Sequence, residues 1–385
     1  MLDLSRQYAR IRHEVVPAIE RVCASQHYIL GEEVETLERD LAAFCEARDA
    51  VGCASGTDAL WLALAASGIK AGDQVLTTPF SFFASASAVV RAEGRPVFAD
   101  IDPATFNLDP KQVERKLRAG NHKLRALLPV HLYGQCADAD AFLHLAREFN
   151  LTLLEDAAQA IGARWDRNGK SHRAGSIGIA AAFSFYPTKN LSAYGDAGLV
   201  TTNHSEMAAH MRGLRNHGSP RRYIHEEFGW NSRLDAIQAA VLRVKLKYIQ
   251  EWNDARRQRA ANYDELFVKA GLARAKSAQS QVSAESPVQF PYTAPEAHHV
   301  FHQYVIRARR RDELRAFLTQ HKIGSEIYYP IPLHLQPCFA YLGYREGDFP
   351  EAERASKEVL ALPMFPELNE DEQKIVVDTI AEFYS

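Results

Sequence analysis

Residues 151–159 read LTLLEDAAQ, a short apolar run followed at once by Glu155 and Asp156, and then by Gln159. The run is apolar throughout rather than alternating, which predicts a strand buried on both faces of a mainly parallel sheet. A carboxylate at the carboxyl end of such a strand faces the crevice where ligands bind, and burying it without a cationic partner is costly. The alternative is that the two acids begin a helix, where the helix dipole favours negative charge.

The same theme recurs between about residues 50 and 203, where apolar runs are mostly separated by the length of one strand–helix unit. Right-handed crossover connections would then place helices on each face of the sheet. The sequence therefore predicts an α/β fold with a mostly parallel central sheet flanked by helices. The further predicted strands are residues 74–77, 96–99, 126–130, 180–185 and 198–201.

Helical periodicity replaces this pattern on either side of the block, and the last hundred residues mix the two periods, as a smaller α+β domain would. We predict a large α/β domain over residues 1–250 and a small C-terminal α+β domain over 251–385. A polar stretch over 273–287 is predicted to be an exposed loop. The predicted helices are residues 5–26, 32–47, 234–262 and 312–320, and the predicted C-terminal strand is 303–306.

The composition excludes several classes of protein. Of the 385 residues, 46% are hydrophobic and 24% are charged, which excludes disordered, collagen-like and coiled-coil chains. A net charge of −3 disfavours binding to nucleic acid or to an anionic membrane. No apolar run approaches the roughly 18–20 residues of a membrane span, and the charged residues 1–12 predict no export signal. Five scattered cysteines, none in a CxxC pair, predict reduced thiols in a cytoplasmic protein.

A second motif, Ser55–Ala59 with the sequence SGTDA, precedes a helical run. A loop rich in glycine and hydroxyl groups that opens a helix offers free backbone N–H groups and the positive end of the helix dipole, which suits phosphate. On this motif alone the indication of phosphate binding is weak, and an N-cap by Thr57 or Asp58 after a turn is the favoured explanation.

A third motif is AFSFYPTKN, residues 182–190, in which Pro187 ends the strand and leaves Lys189 in a loop beyond it. Most lysines are solvated, but this lysine has an apolar and aromatic setting that would lower its pKa and free the amine for Schiff-base chemistry. A phosphate loop, an acid at a strand end and a sheltered lysine together match what pyridoxal phosphate (PLP) requires.

These motifs, in this order, resemble the DegT/StrS-type nucleotide-sugar aminotransferases, which are PLP-dependent enzymes of fold type I, the aspartate-aminotransferase fold. The resemblance runs over nearly the whole chain, from Asp3 to Met364. Its landmarks are residues 31–34 (GEEV), 55–60 (SGTDAL), 129–134 (PVHLYG), 155–160 (EDAAQA), 184–190 (SFYPTKN), 231–235 (NSRLD) and 330–334 (PIPLH).

The resemblance implies roles for individual residues. Lys189 would form the Schiff base with the cofactor and shuttle a proton, and Asp156 would pair with the pyridine nitrogen. The cofactor would cycle between PLP and pyridoxamine phosphate. The remaining implied cofactor contacts are Gln159 at the phenolic oxygen, Phe82 stacked on the ring, and Gly56, Thr57 and Ser184 at the phosphate, joined by Asn231 from the second subunit of a homodimer with shared active sites. Two of these residues have simpler alternatives: Phe82 as ordinary core, and Ser184 as a hydroxyl satisfied by the backbone.

The chain departs from many of these relatives at Tyr328, where they have a histidine before Tyr329 and Pro330. Tyrosine keeps a hydrogen-bond donor but cannot become positively charged near neutral pH. We therefore expect this position to influence which keto-sugar is accepted. The other substrate candidates are Tyr186, Tyr329 and Arg233, the last because a guanidinium suits phosphate.

The histidines predict no metal site, because none forms a pair with the spacing of metal ligands except the adjacent His298 and His299, which lie in a predicted loop. His131 is interpreted as a satisfied core histidine rather than a substrate contact. The basic runs at 256–257 and 309–311 are interpreted as solvated faces.

The resemblance implies amino transfer from an amino acid, L-glutamate in relatives, to C3 or C4 of a nucleotide-linked keto-deoxysugar, by a ping-pong mechanism and for polysaccharide or other amino-sugar synthesis. One alternative is a sugar dehydratase that uses the same cofactor, although such relatives replace the Schiff-base lysine by histidine. The other is a non-enzymatic regulatory protein of the same fold, which would need a basic recognition surface.

Overall fold

A seven-stranded sheet forms the centre of the computed structural model, which describes residues 2–120, 123–167, 169–221, 223–274 and 286–385. The strands in chain order are β1 (Asp49–Cys53), β2 (Gln74–Thr77), β3 (Arg95–Phe98), β4 (Leu124–Leu127), β5 (Thr152–Asp156), β6 (Arg164–Arg167), β7 (Lys170–Arg173), β8 (Ala180–Ser184), β9 (Gly198–Thr202), β10 (Val288–Gln289), β11 (Ala297–His298), β12 (Tyr304–Ala308) and β13 (Val359–Leu362).

The order of strands in the central sheet is β1-β9-β8-β5-β4-β2-β3, and β9 alone runs against the other six. The predicted mostly parallel α/β sheet is confirmed. The strand predicted at 198–201 is present as β9, the one that opposes the others. No helix separates β8 from β9, and antiparallel neighbours need only a loop between them, whereas parallel neighbours need a longer crossover.

The helices in chain order are α1 (Leu4–Ser25), α2 (Glu32–Phe44), α3 (Gly56–Ala66), α4 (Ala84–Arg91), α5 (Pro110–Arg118), α6 (Ala139–Glu148), α7 (Ser205–Leu214), α8 (Ala236–Leu246), α9 (Ile249–Lys269), α10 (Arg311–Gln320), α11 (Pro350–Glu358) and α12 (Glu370–Tyr384). The predicted helices at 5–26, 32–47 and 312–320 are therefore present, with small shifts at their ends. No described helix is long and apolar enough to span a lipid bilayer.

The predicted single helix over 234–262 is wrong, because the chain there forms α8 and α9 with a break at Lys247 and Tyr248. No proline or glycine in the sequence marks this break. Instead, α8 packs against α1 and α2, whereas α9 packs against α12, so two different partners orient the two halves.

Beyond α9, strands β10, β12 and β13 form a small antiparallel sheet, flanked by α10 and α11. The short strand β11 instead pairs with β6, which precedes it by more than a hundred residues. Most of the loop predicted over 273–287 lies outside the described residues.

Candidate active site

Asp156 is the last residue of β5, and its carboxylate is buried at the carboxyl edge of the sheet. Its Oδ2 accepts a hydrogen bond of 2.6 Å from the Ser85 hydroxyl, and its Oδ1 accepts one of 3.2 Å from the Ala158 N–H. Burial raises the pKa of Asp156, opposed by the Ser85 hydrogen bond and the charge of Lys189. Across the described ranges, no lysine, arginine or histidine forms an ion pair with this carboxylate. A cationic group bound beside Asp156 would therefore offset the free-energy cost of burying its carboxylate.

Glu155, the neighbouring acid, is structural. Its carboxylate accepts hydrogen bonds from the backbone N–H groups of Gly175, Ile177 and Gly178 at 2.8–2.9 Å. It also accepts one of 3.0 Å from Nε2 of buried His131, whose Nδ1 accepts the Ala137 N–H. The interpretation of His131 as a satisfied core histidine is confirmed by these contacts.

Lys189 lies in the loop between β8 and β9, where its backbone N–H closes a turn on the Tyr186 carbonyl at 2.8 Å. Its side chain is partly buried. Burial lowers the pKa of Lys189 to about 8, and the negative charge of Asp156 opposes this shift. About a tenth of this amine is therefore neutral and nucleophilic at pH 7, far more than for a solvated lysine.

A cradle forms where the N-terminus of α3 meets the end of β8. Ser55 caps α3 by accepting the Asp58 N–H at 3.1 Å, which leaves the first N–H groups of the helix available to a ligand. A Cβ on Gly56 would lie 2.5 Å from the Ser184 Cβ and 2.9 Å from its hydroxyl oxygen. The missing side chain thus lets Ser184 approach the helix end. The Ser184 hydroxyl has one long backbone contact, accepting the Tyr186 N–H at 3.4 Å.

Gly56→Ala is expected to weaken cofactor binding and to lower the free energy of unfolding by about 1–3 kcal/mol, because the added methyl group overlaps Ser184. Thermal unfolding and equilibrium dialysis of the cofactor would measure both effects. Gly213→Ala in α7 is the matched control, since a Cβ there meets nothing within 4 Å. Equal behaviour of the two variants would contradict the close approach.

Aromatic rings and a glutamine lie near these groups. Phe82 is 56% exposed, which excludes the alternative of ordinary core, and its ring centroid is 6.2 Å from that of Tyr329. The buried Gln159 accepts the Tyr133 N–H at 2.7 Å and donates to the Tyr329 hydroxyl at 3.0 Å. The Tyr133 hydroxyl donates in turn to the Tyr328 carbonyl. This network connects three of the residues singled out from the sequence, Gln159, Tyr328 and Tyr329.

Tyr186 is about half exposed in the Lys189 turn, and Tyr328 is partly buried. Asn231 and Arg233 lie in the segment that leads into α8, where the carbonyl of the intervening Ser232 accepts the N–H of Ala54 at 3.2 Å, next to the cradle. The backbone of Asn231 pairs with that of Asn216, whose side-chain oxygen accepts a bond of 3.2 Å from Arg233. In the part of the chain that the structure describes, neither side chain forms a hydrogen bond to Asp156, Ser184 or Lys189.

Sequence reasoning missed Ser85 and Tyr133. Ser85 lies in a run of small and hydroxyl residues, and nothing in that run distinguishes it from its neighbours. Tyr133 is in the PVHLYG landmark, but its contact with Gln159 uses the backbone, which a residue pattern does not reveal.

The residues present fit PLP. They provide a buried carboxylate for a protonated ring nitrogen, an amine of lowered pKa for an aldehyde, and a helix end and a hydroxyl for a phosphate. Fold and site together therefore define a PLP-dependent enzyme of the fold in which a mostly parallel sheet carries the cofactor.

The chain belongs to the DegT/DnrJ/EryC1/StrS aminotransferase family, whose sequence model matches residues 9–381. Its cofactor is PLP, which cycles with pyridoxamine phosphate.

Three comparisons illustrate the relationship. The chain is 49% identical over 384 residues to a protein of Geobacillus stearothermophilus named pleiotropic regulatory protein, covering 100% of this chain and 98% of the relative. It is 42% identical over 382 residues to dTDP-3-amino-3,4,6-trideoxy-alpha-D-glucose transaminase of Streptomyces venezuelae, covering 99% of this chain and 95% of the relative. The crystal structure of S. venezuelae DesV in complex with a ketimine intermediate has a TM-score of 0.91 and 42% identity, covering 100% of this chain and 97% of that one.

Proposed function

We propose that this protein is an aminotransferase that moves an amino group from an amino acid, L-glutamate, to a keto carbon of a nucleotide-linked keto-deoxysugar. The observation that carries the proposal is the combination of a buried Asp156, whose carboxylate forms no ion pair among the described residues, with a lysine of lowered pKa at the same edge of the sheet. The S. venezuelae relative named as a dTDP-amino-sugar transaminase supports the substrate class.

PLP supplies, when bound, a ring that withdraws electrons from the carbon that loses its proton. We assign to Asp156 the task of keeping the ring nitrogen protonated, held in place by the hydrogen bond from Ser85. Gly56, Thr57 and Ser184 would hold the phosphate, Phe82 would cover the ring face, and Gln159 would face the phenolic oxygen.

Lys189 would attach the cofactor covalently and, once released from it, would carry the proton that the α-carbon of the amino-acid donor loses to the cofactor. Both tasks need an amine that can be neutral near pH 7, which its burial provides. The donor leaves as its 2-oxo acid before the keto-sugar enters, so the kinetics would be ping-pong.

The proposal is tested by the absorbance spectrum of the purified holoenzyme before and after L-glutamate. The expected result is a visible band of bound PLP that glutamate converts to the spectrum of pyridoxamine phosphate, followed by amination of a nucleotide-linked keto-sugar in a mass-spectrometric screen. A protein that takes up no PLP, or whose band glutamate leaves unchanged, would contradict it.

We further propose that the accepted keto group is at C3, as the 3-amino name of the S. venezuelae relative suggests. Tyr328→His is expected to change the ratio of kcat/KM for 3-keto and 4-keto acceptors by about 10-fold, because it replaces a neutral hydroxyl by a group that can be charged. Tyr341→His, at an exposed tyrosine, is the control. An unchanged ratio in the Tyr328 variant would contradict this role, whatever happens to the overall rate.

The enzyme is proposed to be a homodimer with shared active sites, in which Asn231 of one chain contacts the phosphate in the other. An exposed apolar surface in the same segment, formed by Tyr223, Ile224, Phe228 and Trp230, supports an interface there, because monomers rarely expose such patches.

If the active sites are shared between subunits, mixing two inactive variants should restore activity. A heterodimer of Lys189→Ala and Asn231→Ala chains would contain one intact site, so unfolding and refolding the mixture together is expected to restore about a quarter of wild-type activity. If each site used residues of one chain only, mixing would restore nothing.

Two alternatives are less well supported. A sugar dehydratase of this family is disfavoured because Lys189 is present. The G. stearothermophilus relative is named a regulatory protein, but a purely regulatory role for this chain gives no reason for a lysine of lowered pKa beside a buried acid.

The division into domains 1–250 and 251–385 also stays a proposal. The separate sheet of β10, β12 and β13 supports it, while β11 crosses the boundary to pair with β6. The cytoplasmic location expected from the cysteines stays a prediction.

A further inference from the structure

Asn190 follows Lys189 directly and is buried. Its amide nitrogen donates to the Asn253 side-chain oxygen at 2.8 Å and to the Val300 carbonyl at 3.1 Å. Asn253, on α9, donates onward to the Ile161 carbonyl at 2.9 Å. Both amide protons of Asn190 are thus in use, and its side-chain oxygen remains as an acceptor.

The group that faces this oxygen is Nδ1 of buried His302, at 3.2 Å. Since Asn190 accepts there, Nδ1 carries the proton, which leaves Nε2 unprotonated in a neutral ring. Burial, then the charges of Lys189 and Arg256, lower the pKa of His302 well below its ordinary value. The imidazole therefore stays neutral over the pH range in which Lys189 titrates.

Arg256 holds the backbone of this histidine. The basic run at 256–257 was interpreted as a solvated face, and for Arg256 this is wrong, because the side chain is 3% exposed. Its Nη1 donates to the carbonyls of Phe301, His302 and Met364 at 3.1–3.3 Å. A buried guanidinium thus joins α9 to the segments next to β12 and β13, and Asn190 joins the Lys189 loop to the same place.

We infer that Asn190 and His302 are positioning residues for Lys189. Neutral His302 orients the Asn190 side chain. Asn190 in turn fixes the backbone next to Lys189 and, being an amide, places no charge beside the lysine. The inference rests on the proposed role of Lys189 as the group that binds the cofactor.

The test uses the pH midpoint of the visible band of the holoenzyme, which reports protonation at the Lys189 nitrogen, together with thermal unfolding. Asn190→Asp places a negative charge beside the lysine and removes two donors. It is expected to raise the midpoint by about one unit or more, because a nearby opposite charge favours the protonated form. The other charged groups around this position are Asp156, the opposing cause of the Lys189 shift, and Arg256, next to His302.

Asn107→Asp is the matched control, because Asn107 is also buried and its amide likewise binds backbone groups, those of Leu132 and Gln135. It is expected to lose thermal stability while its midpoint stays within a few tenths of a unit of wild type.

At the histidine, His302→Asn keeps a donor near the position of Nδ1, whereas His302→Phe removes it. His302→Phe is expected to slow the half-reaction with L-glutamate about 10- to 100-fold through misplacement of Lys189, and His302→Asn to recover most of that loss.

The inference is overturned if Asn190→Asp shifts the midpoint no more than Asn107→Asp, or if His302→Asn is as slow as His302→Phe. A wild-type protein without any visible band would instead contradict the proposed function.

Discussion

Lys189→Ala is expected to reduce the rate of amino transfer by at least about 10⁴-fold, because both the covalent attachment of the cofactor and the proton transfer depend on this amine. The visible band of the bound cofactor should also change, since the aldehyde has lost its partner. Absorbance spectra and single-turnover rates with L-glutamate would measure the two effects separately.

The control for this substitution is Lys170→Ala, at an exposed lysine in β7. It should leave rate and spectrum unchanged. Retention of more than a few per cent of the wild-type rate by Lys189→Ala would mean that another group performs the proton transfer, and the assignment of this lysine would be wrong.

The second large effect is expected for Asp156→Asn, which keeps the shape of the side chain but removes its charge. A neutral amide cannot hold a proton on the ring nitrogen, and loss of a charge-assisted hydrogen bond of about 3 kcal/mol corresponds to a rate lower by about 100-fold or more. The free energy of unfolding of this variant should rise or change little, because burial penalises the ionised carboxylate of the wild type.

Ser85→Ala provides the graded comparison. It removes the 2.6 Å hydrogen bond to Asp156 but leaves the carboxylate, so its effect on the rate should be several-fold rather than 100-fold. If Ser85→Ala and Asp156→Asn slowed the half-reaction equally, the charge of Asp156 would not be the property that matters.

The places of Asp156 and Lys189 in the fold could be predicted because polar residues after fully apolar runs fall at the carboxyl edge of a parallel sheet. Their chemical roles stay a proposal. The direction of β9 and the break between α8 and α9 could not be predicted, because both depend on which distant element each segment packs against.

The residues that surround Lys189 could not be predicted either, because they come from distant parts of the chain. Asn190, Asn253 and His302 are far apart in the chain and carry no mutual spacing that a pattern could reveal. Arg256 was misjudged because a helix with charged neighbours resembles a solvated face, whereas three backbone carbonyls from other segments surround this guanidinium.

The position of β1 at the edge of the central sheet has a consequence for the chain as it leaves the ribosome. Residues 49–53 pair with residues 198–202 of β9, so this strand has no place in the sheet until residue 202 has been synthesised. The helix end at Gly56, which directly follows β1, meets Ser184 only then. Long-range pairing of this kind is slow and leaves apolar segments uncovered. The nascent chain therefore exposes these apolar segments during this interval, and the cradle at Gly56 is complete only after it.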